Sequence, residues 1–476
     1  MNTVSKVAPG KVFLVGAGPG SPELLTWRAL KLIEHCDVVC YDLLVSPAIL
    51  SLIPSDKTLL PVGYRGYCSG SIEYGMHPDV VEQALLGKQV LRLKSGDPFI
   101  FGRGTEECRS LTHYGVEYEI VPGITSALGA AASAGFPLTS NGIASDVTFA
   151  SGHLLSSTIS NWASMGSSSG TLVLYMAAKK LAHHAAHLIE RGRSADTPVA
   201  LISSATRHNQ QMRVTTLGSI DQVMDDAMHH DGSPVLVIMG QVVSLADELN
   251  WRNCLPLTGQ VIMLDRSQEE AGDSLRMAGA EVVFAPEVQY EYGIDPAEWP
   301  AVLAARSLWL SDIHSAKGLF ASAKIAGLDT RLWSWQLSGP QVVVQYFAEL
   351  GMFITLAATP QPGEMELTAA DDAVSHVRPH SVNAQSCISA YRQQMMLPNY
   401  LLGKINTYWV EERAAVALMH FNQQALKSDY YLTSQADIAE VLQQLGKPVQ
   451  LLTSTDEGEL IMQLSSTSTI RDLHVA

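Results

Sequence analysis

Short β-branched runs alternate with stretches of helical period through roughly the first 250 residues, the pattern of layered α/β folds. KVFLVGAG, DVVCYDLL, QVLRLKSG and VEYEIVPG read as strands, and LLTWRALKLIEHC and HPDVVEQALLG between them as helices. A second series follows: SDVTFASGH, GTLVLYMA, TPVALISSA and SPVLVIMGQVV. It is interrupted by AKKLAHHAAHLIERG, a helix expected to stop at a Gly C-cap. The break between the two series falls near Gly123 to Ala127, so lobes are expected at 1–126 and 127–252. After Trp251, RNCLPLTG has turn residues and no periodicity. A further α/β unit opens with QVIMLDRS, EEAGDSLRMAG and AEVVFAPEV, which sets a third region at 257–476. From about residue 357 to 386 the chain is polar and contains Pro, Gly and Ser, and it reads as a connection.

Composition narrows the classes. Apolar residues make up 47 % of the 476 and charged residues 16 %, a core-rich profile and not a disordered one. The net charge is −16, and acid is concentrated late: residues 1–252 carry 18 basic against 22 acidic side chains, and the rest 13 against 25. Nothing here has the basic footprint of a nucleic-acid binder. No apolar stretch approaches the ~20 uncharged residues of a membrane span. The early run VFLVGA leads into a Gly-rich loop and not a small-residue cleavage site. Six cysteines without a Cys-x-x-Cys pair fit reduced thiols, so a soluble cytoplasmic protein is expected.

Two segments carry candidate chemistry. The first strand ends in Gly16-Ala17-Gly18-Pro19-Gly20-Ser21. A Gly-rich turn there suits a dinucleotide, whose pyrophosphate takes backbone N–H groups at a helix N-terminus. Here Ser21 replaces the third glycine, and Pro19 has no N–H to donate. A turn against which a neutral or cationic cofactor packs fits better, with an ordinary strand–helix turn as the plain alternative. The segment Arg92–Glu107, RLKSGDPFIFGRGTEE, says more. Asp97 leaves a strand end where α/β sheets place ligands, and its carboxylate can accept from a cofactor hydroxyl or amine. Gly96, Gly102 and Gly104 permit close backbone approach. His183 and His187 have a metal-capable spacing but no third ligand nearby, so they read as solvated and no metal is expected.

Together GAGPGSPELLTWRAL, VVCYDLLVS, RLKSGDPFIFGRGTEE, VPGITSALGAAASAGFPLT, TLVLYMA and TPVALISSAT resemble uroporphyrinogen-III C-methyltransferases of the tetrapyrrole methylase superfamily, over residues 9–252. The resemblance implies a two-lobed α/β fold with S-adenosylmethionine in the cleft between lobes, and a homodimer. It implies methylation of uroporphyrinogen III on rings A and B to give precorrin-2, in sirohaem- or cobalamin-type tetrapyrrole biosynthesis. It assigns cofactor contacts to Pro19, to Ser95, Gly96, Asp97 and Ile100, to Thr125 and Ser126, and to Met176 and Ala205. Asp42, in the YD-x-LVS motif, matches the residue proposed as general base.

The chain also departs from that pattern. Val62-Gly63-Tyr64 stands where the family has V-G-K, so Tyr64 takes the place of a lysine proposed as proton donor, and Arg65 beside it can hold a propionate bidentately. Ser95-Gly96-Asp97 replaces G-G-D, Ser140-Asn141 loses a charge on the substrate side, and Ser151-Gly152-His153 is a conservative change. Residues 258–292 are similar to the opening of uroporphyrinogen-III synthase, with Asp265-Arg266-Ser267 in place of Thr-Arg-Pro, and Ser307–Phe320 matches a later segment in part. That region reads either as a divergent synthase or as a synthase-like packing partner. Because every methylase motif lies in 9–252, it is expected to add little to methyl transfer. A non-catalytic tetrapyrrole- or cofactor-binding regulator is the alternative for the whole chain, motivated by Tyr64, Asn141 and the degenerate C-terminal motifs.

Overall fold

The computed structural model describes residues 8–63, 75–152, 170–223, 234–369, 386–394, 404–411, 427–444, 446–452 and 456–472. They fall into two compact units. One comprises the described residues of Met1–Leu264, Gln268–Ala285 and Ser454–Ala476, the other those of Asp265–Ser267 and Pro286–Thr453.

The first unit opens with a parallel sheet of β1 (Val12–Gly16), β2 (Val38–Asp42), β3 (Thr58–Gly63), β4 (Val90–Lys94) and β5 (Tyr118–Val121), in the order β3-β2-β4-β1-β5. Helices α1 (Trp27–His35), α2 (Pro47–Leu50), α3 (Pro78–Leu85) and α4 (Gly104–His113) lie between its strands in the chain. Thr26 caps α1 by accepting from Ala29 N at 3.1 Å. Val80, Val81 and Ala84 of α3 and Leu111 of α4 close one core with Val12, Leu14, Val38 and Cys40. β3 escaped the sequence pattern because it is an edge strand that contains Pro61, a residue tolerated only where one side needs no partner.

Helix α5 (Ser126–Ala134) begins the second lobe, whose sheet holds β6 (Val147–Ser151), β7 (Thr171–Tyr175), β8 (Pro198–Ser203), β9 (Gln211–Thr216) and β10 (Val235–Met239). The order is β6-β7-β10-β8-β9, with only the β6–β7 pair parallel. The period-2 alternation of β7 sorts its two faces. Leu172 and Leu174 pack with Leu181, Ala185 and Leu188 of the helix Leu181–Glu190, while Val173 joins Ala127, Ala130 and Ala131 of α5. Gly192, at φ 96°, lies just past that helix, where a left-handed residue was expected.

The same unit reaches beyond residue 257. β11 (Val261–Leu264), the helix Glu269–Met277 and β12 (Glu281–Phe284) form a parallel β-α-β hairpin of layers. β12 is tied back to the first lobe, since Phe284 N donates to Ser51 Oγ at 3.0 Å. The compact unit therefore does not end where the loss of periodicity after Trp251 suggests.

The second unit is also α/β. Its main sheet runs β13 (Gln289–Tyr292), β18 (Ser386–Gln394), β17 (Met365–Ala369), β14 (Ser307–Leu310), β15 (Gln336–Gly339), β16 (Thr355–Leu356), antiparallel only at β13–β18. Outside that sheet, β19 (Lys404–Trp409), β20 (Lys427–Thr433) and β21 (Val449–Leu451) of the same unit are parallel neighbours. Asp265 is buried and accepts from Tyr408 Oη and Glu411 N, each at 2.6 Å. Asp312 and Ser315 form a capping box on the helix Ile313–Ile325. Among the described residues no helix is long and apolar enough to cross a membrane.

Candidate active site

Three turns meet at the strand ends of the first lobe. Gly18 and Gly96 exchange backbone hydrogen bonds, Gly18 N to Gly96 O at 3.1 Å and Gly96 N to Gly18 O at 2.7 Å, with φ of 71° and 69°. A Cβ at Gly123 would lie 2.4 Å from Gly96 O, so only glycine lets the third turn approach. Asp97 fastens them. Its Oδ1 accepts from Phe99 N at 2.8 Å and Ile100 N at 3.2 Å, and its Oδ2 from Gly123 N at 3.0 Å. A carboxylate has about four acceptor positions, so one remains for a ligand. Ser95 and Pro19 flank the turns half-buried, and Ile100 is exposed beside them.

The second lobe meets these turns through Tyr175. Its Oη lies 2.6 Å from Thr125 Oγ1 and accepts from Ala127 N at 3.1 Å, which supplies the N-terminus of α5 with the cap that Thr125 itself does not make. The Tyr175 ring packs 4.8 Å from that of Phe101. Burial, partly offset by these hydrogen bonds, pushes its phenol above the usual value, so it stays protonated. Met176 follows, half exposed with φ 54°. Ala205 sits between Ser204 at φ 47° and Thr206 at φ 68°, and Thr206 Oγ1 accepts from Ser21 N at 3.1 Å. Phe101, Arg103, Met176, Ser204 and Thr206 are all the non-glycine residues of left-handed backbone among those described, and all five lie in these loops. Each costs about 1–3 kcal/mol, and strain of this kind gathers at ligand sites.

Asp42 belongs to a separate cluster at the end of β2. Arg92 Nη2 donates to Asp42 Oδ1 at 2.6 Å and to Glu107 Oε1 at 3.1 Å, and Lys94 Nζ lies 2.9 Å from Glu107 Oε1 and 3.9 Å from Asp42 Oδ2. Arg92 and Lys94 are buried on one face of β4 at the i, i+2 spacing of a strand. Burial alone would lower the guanidinium pKa of Arg92. Asp42 and Glu107 outweigh it and hold the group above its ordinary value. Gly63 pairs with Asp42, and a Cβ there would stand 1.9 Å from Asp42 Oδ1, so the Val62-Gly63 step is fixed by the carboxylate it covers. Tyr64, Arg65 and His153 lie outside the described residues.

The structure thus brings Pro19, Ser95, Gly96, Asp97, Ile100, Thr125, Ser126, Met176 and Ala205 to one set of facing loops. It leaves Asp42 in its own ion cluster. Sequence reasoning missed Tyr175, Arg92 and Glu107. The alternation R-L-K followed by Thr-Glu-Glu was a usable signal for the ion cluster, whereas nothing local marks Tyr175. His187 is paired with Glu190 at 3.3 Å, and its ring meets His183 edge-on. Among the described residues no group of three or more metal-ligating side chains gathers.

Known proteins place this half of the chain. Residues 11–221 match the family model described as Tetrapyrrole (Corrin/Porphyrin) Methylases. A siroheme synthase of Pseudomonas fluorescens strain SBW25 is 46 % identical over 252 residues, 53 % of this chain and 54 % of that protein. One of Chromobacterium violaceum is 44 % identical over 243 residues, 51 % of each. The chain therefore spans about half the length of the curated relatives it matches. Among solved structures, a uroporphyrin-III C-methyl transferase of Thermus thermophilus complexed with S-adenosyl homocysteine is 31 % identical. It covers 50 % of this chain and 94 % of that one, at a TM-score of 0.42.

Proposed function

From the premise that residues 11–221 are a tetrapyrrole methylase domain, we propose that the chain transfers methyl groups from S-adenosylmethionine to uroporphyrinogen III, on rings A and B, to give precorrin-2. The observation that carries this reading is that, among the described residues, every non-glycine residue of left-handed backbone lies in the loops beside the Gly18, Gly96 and Gly123 turns. Glycine at these turns lets the three backbones close on one another, a Cβ at Gly123 standing 2.4 Å from Gly96 O, which presents main-chain groups rather than side chains at the strand ends. Bound there, the cofactor supplies an electrophilic sulfonium methyl for in-line displacement by a pyrrole carbon.

The protein's part is positioning and proton handling. Pro19, Ser95, Gly96 and Asp97 line the first-lobe side and Thr125, Ser126, Met176 and Ala205 the second, with Ile100 closing over the edge. Asp42 has Oδ1 engaged by Arg92, while Oδ2 lies 3.9 Å from Lys94 Nζ. That oxygen is the one to take a proton as the alkylated ring settles to its product tautomer. Tyr64 and Arg65 serve the substrate side, as donor and propionate clamp. A homodimer in the cytoplasm, with residues beyond 257 a synthase-like partner, completes the reading; its free cysteines fit a reducing compartment.

Anaerobic incubation of the full chain with uroporphyrinogen III and labelled S-adenosylmethionine, followed by mass analysis of the tetrapyrrole, tests it. Two added methyl groups are expected. Tight S-adenosylhomocysteine binding without methylation would favour a regulatory protein instead.

A further inference from the structure

We infer that Glu281, sixty positions beyond the stretch matching the methylase family, is a positioning residue for the cofactor loops. This rests on the cofactor reading above and extends it to a segment that sequence motifs assign to a different region. Glu281 opens β12, and its side chain is only 7 % exposed. Its Oε2 accepts from His208 N at 2.9 Å and lies 2.6 Å from His208 Nδ1, and its Oε1 accepts from Arg207 Nη2 at 3.3 Å. Burial alone would disfavour this carboxylate as an ion, but the hydrogen bonds and the charge of Arg207 outweigh that, and it folds as an anion.

Arg207 and His208 continue directly from the left-handed pair Ser204 and Thr206 that brackets Ala205. The methylene stem of Arg207 packs on Gly20, where a Cβ would be 2.8 Å from Arg207 Cγ. Thr206 Oγ1 holds Ser21 N from the same side. One carboxylate, by holding two consecutive residues, therefore fixes both the Ala205 loop and the Pro19 turn. Other ties secure the loop backbone: Gln210 Oε1 accepts from Thr206 N at 2.6 Å, and Arg252 Nη2 donates to Arg207 O at 2.7 Å. Neither fixes the Arg207 side chain that lies on Gly20. A cavity of about 370 Å³, lined by Leu24, Leu128, Thr206, His208 and Glu281, gives the loop somewhere to relax once the latch is gone. A relaxed loop must be reordered when the cofactor binds, which lowers affinity and leaves the chemistry of the loaded site unchanged.

The test uses the full-length chain and calorimetric titration with S-adenosylhomocysteine, with cofactor KM and kcat measured in parallel. Glu281→Gln should weaken binding by roughly tenfold and raise cofactor KM alike, with kcat at saturating cofactor within about twofold of wild type. Glu281→Asp, a shorter anion, should recover part of the loss. Ser51→Ala removes the tie to Phe284 N at the other end of β12; it should lower Tm and leave binding unchanged. Should Glu281→Gln not fold, His208→Ala removes one arm at a half-exposed side chain and should weaken binding by about threefold. Wild-type affinity in a folded Glu281→Gln overturns the latch and leaves the cofactor reading standing. Equal weakening by Ser51→Ala assigns the effect to general loosening and overturns it too. A wild-type chain that does not bind S-adenosylhomocysteine takes down both.

Discussion

The turn from Ser95 to Gly102 and the loop from Ser203 to Gln210 flank the same Gly18–Ser21 turn, yet they are held by opposite means. The first holds itself: Asp97 reaches two residues of its own turn and Gly123, all within a span of 26 residues. The second has one local tie, Gln210 on Thr206 N, and is otherwise held from outside, by Arg252 on its backbone and by Glu281, 73 residues away, on His208. A self-held turn forms with its own lobe and can be read from its local residues. A loop held by remote side chains inherits the stability of whatever carries them, and so couples the cleft to distant events. The contrast predicts different responses to the same insult.

The largest expected effect is acid lability at the remotely held loop. The Glu281 carboxyl is held at about 2 against an ordinary 4.5. A depressed folded-state pKa contributes stability that is full above 4.5 and lost as pH falls through about 2, here roughly 3 kcal/mol. Glu281→Gln lacks this contribution. The Tm gap between wild type and variant should be widest near neutrality and close as pH falls from 4.5 toward 2. A gap independent of pH would show that Glu281 matters by shape and not by charge.

Next comes the self-held turn. Asp97→Ala leaves three backbone N–H groups without their acceptor. Water reaches those of the exposed Phe99 and Ile100, so the cost is about 2 kcal/mol and not the full sum of three charged hydrogen bonds. S-adenosylhomocysteine affinity should fall at least tenfold, and Asp97→Asn, which keeps an acceptor at Oδ1, should lose less. Unlike Glu281, this site should show no communication with residues beyond 257. A double variant of Asp97 and Glu281 is expected to lose the two affinities additively, and strong non-additivity would break the comparison.

The same contrast explains what the sequence made legible. Apolar runs bounded by Gly and Pro located the strands buried in the middle of the first two sheets. The edges β3 and β9 were missed, since TLLPVG and QMRVTT are half-exposed and carry Pro or polar residues. Asp97 stood out in the sequence because its turn is local, and in the structure its carboxylate serves that turn and Gly123. Tyr175 did not, because its task as a cap for α5 depends on a partner 48 residues earlier. Glu281 was least legible: it stands at the start of an ordinary strand, in a region whose own motifs point elsewhere. The break expected at residue 257 followed the loss of periodicity, whereas packing is decided by contacts such as Ser51 with Phe284 that no local pattern encodes.

Tyr175→Phe sharpens the comparison where the two lobes meet. It removes the acceptor of Ala127 N, a buried amide, and the partner of Thr125 Oγ1, while keeping the ring packed against Phe101. About 1 kcal/mol of stability should go, close to the loss of a helix cap. Thermal melts and S-adenosylhomocysteine titration check it. Affinity should fall by only a few-fold, because the strained loops keep their own ties. A loss as large as that of Asp97→Ala would mean that the seam, not the turns, governs the cofactor side.

The smallest effect is expected where neither loop reaches. Both belong to the proposed cofactor side, so a change on the substrate side should leave cofactor affinity nearly as it was. Tyr64 follows Gly63, which is packed on Asp42, and replaces a lysine of the resembling family. A lysine there would bring a positive charge for the propionates of uroporphyrinogen III, whereas a neutral phenol brings only a donor. One partly screened ion pair is worth roughly 0.2–1 kcal/mol in an exposed cleft. Tyr64→Lys should therefore lower the KM for uroporphyrinogen III by up to about fivefold, with S-adenosylhomocysteine binding unchanged. Tyr64→Phe separates the donor role: if a proton passes through the phenol, kcat falls while KM holds. If both variants match wild type in every constant, Tyr64 only packs, and Arg65 with Asp42 handles the substrate. If Tyr64→Lys instead shifts cofactor affinity, the two sides of the cleft are coupled and do not act separately.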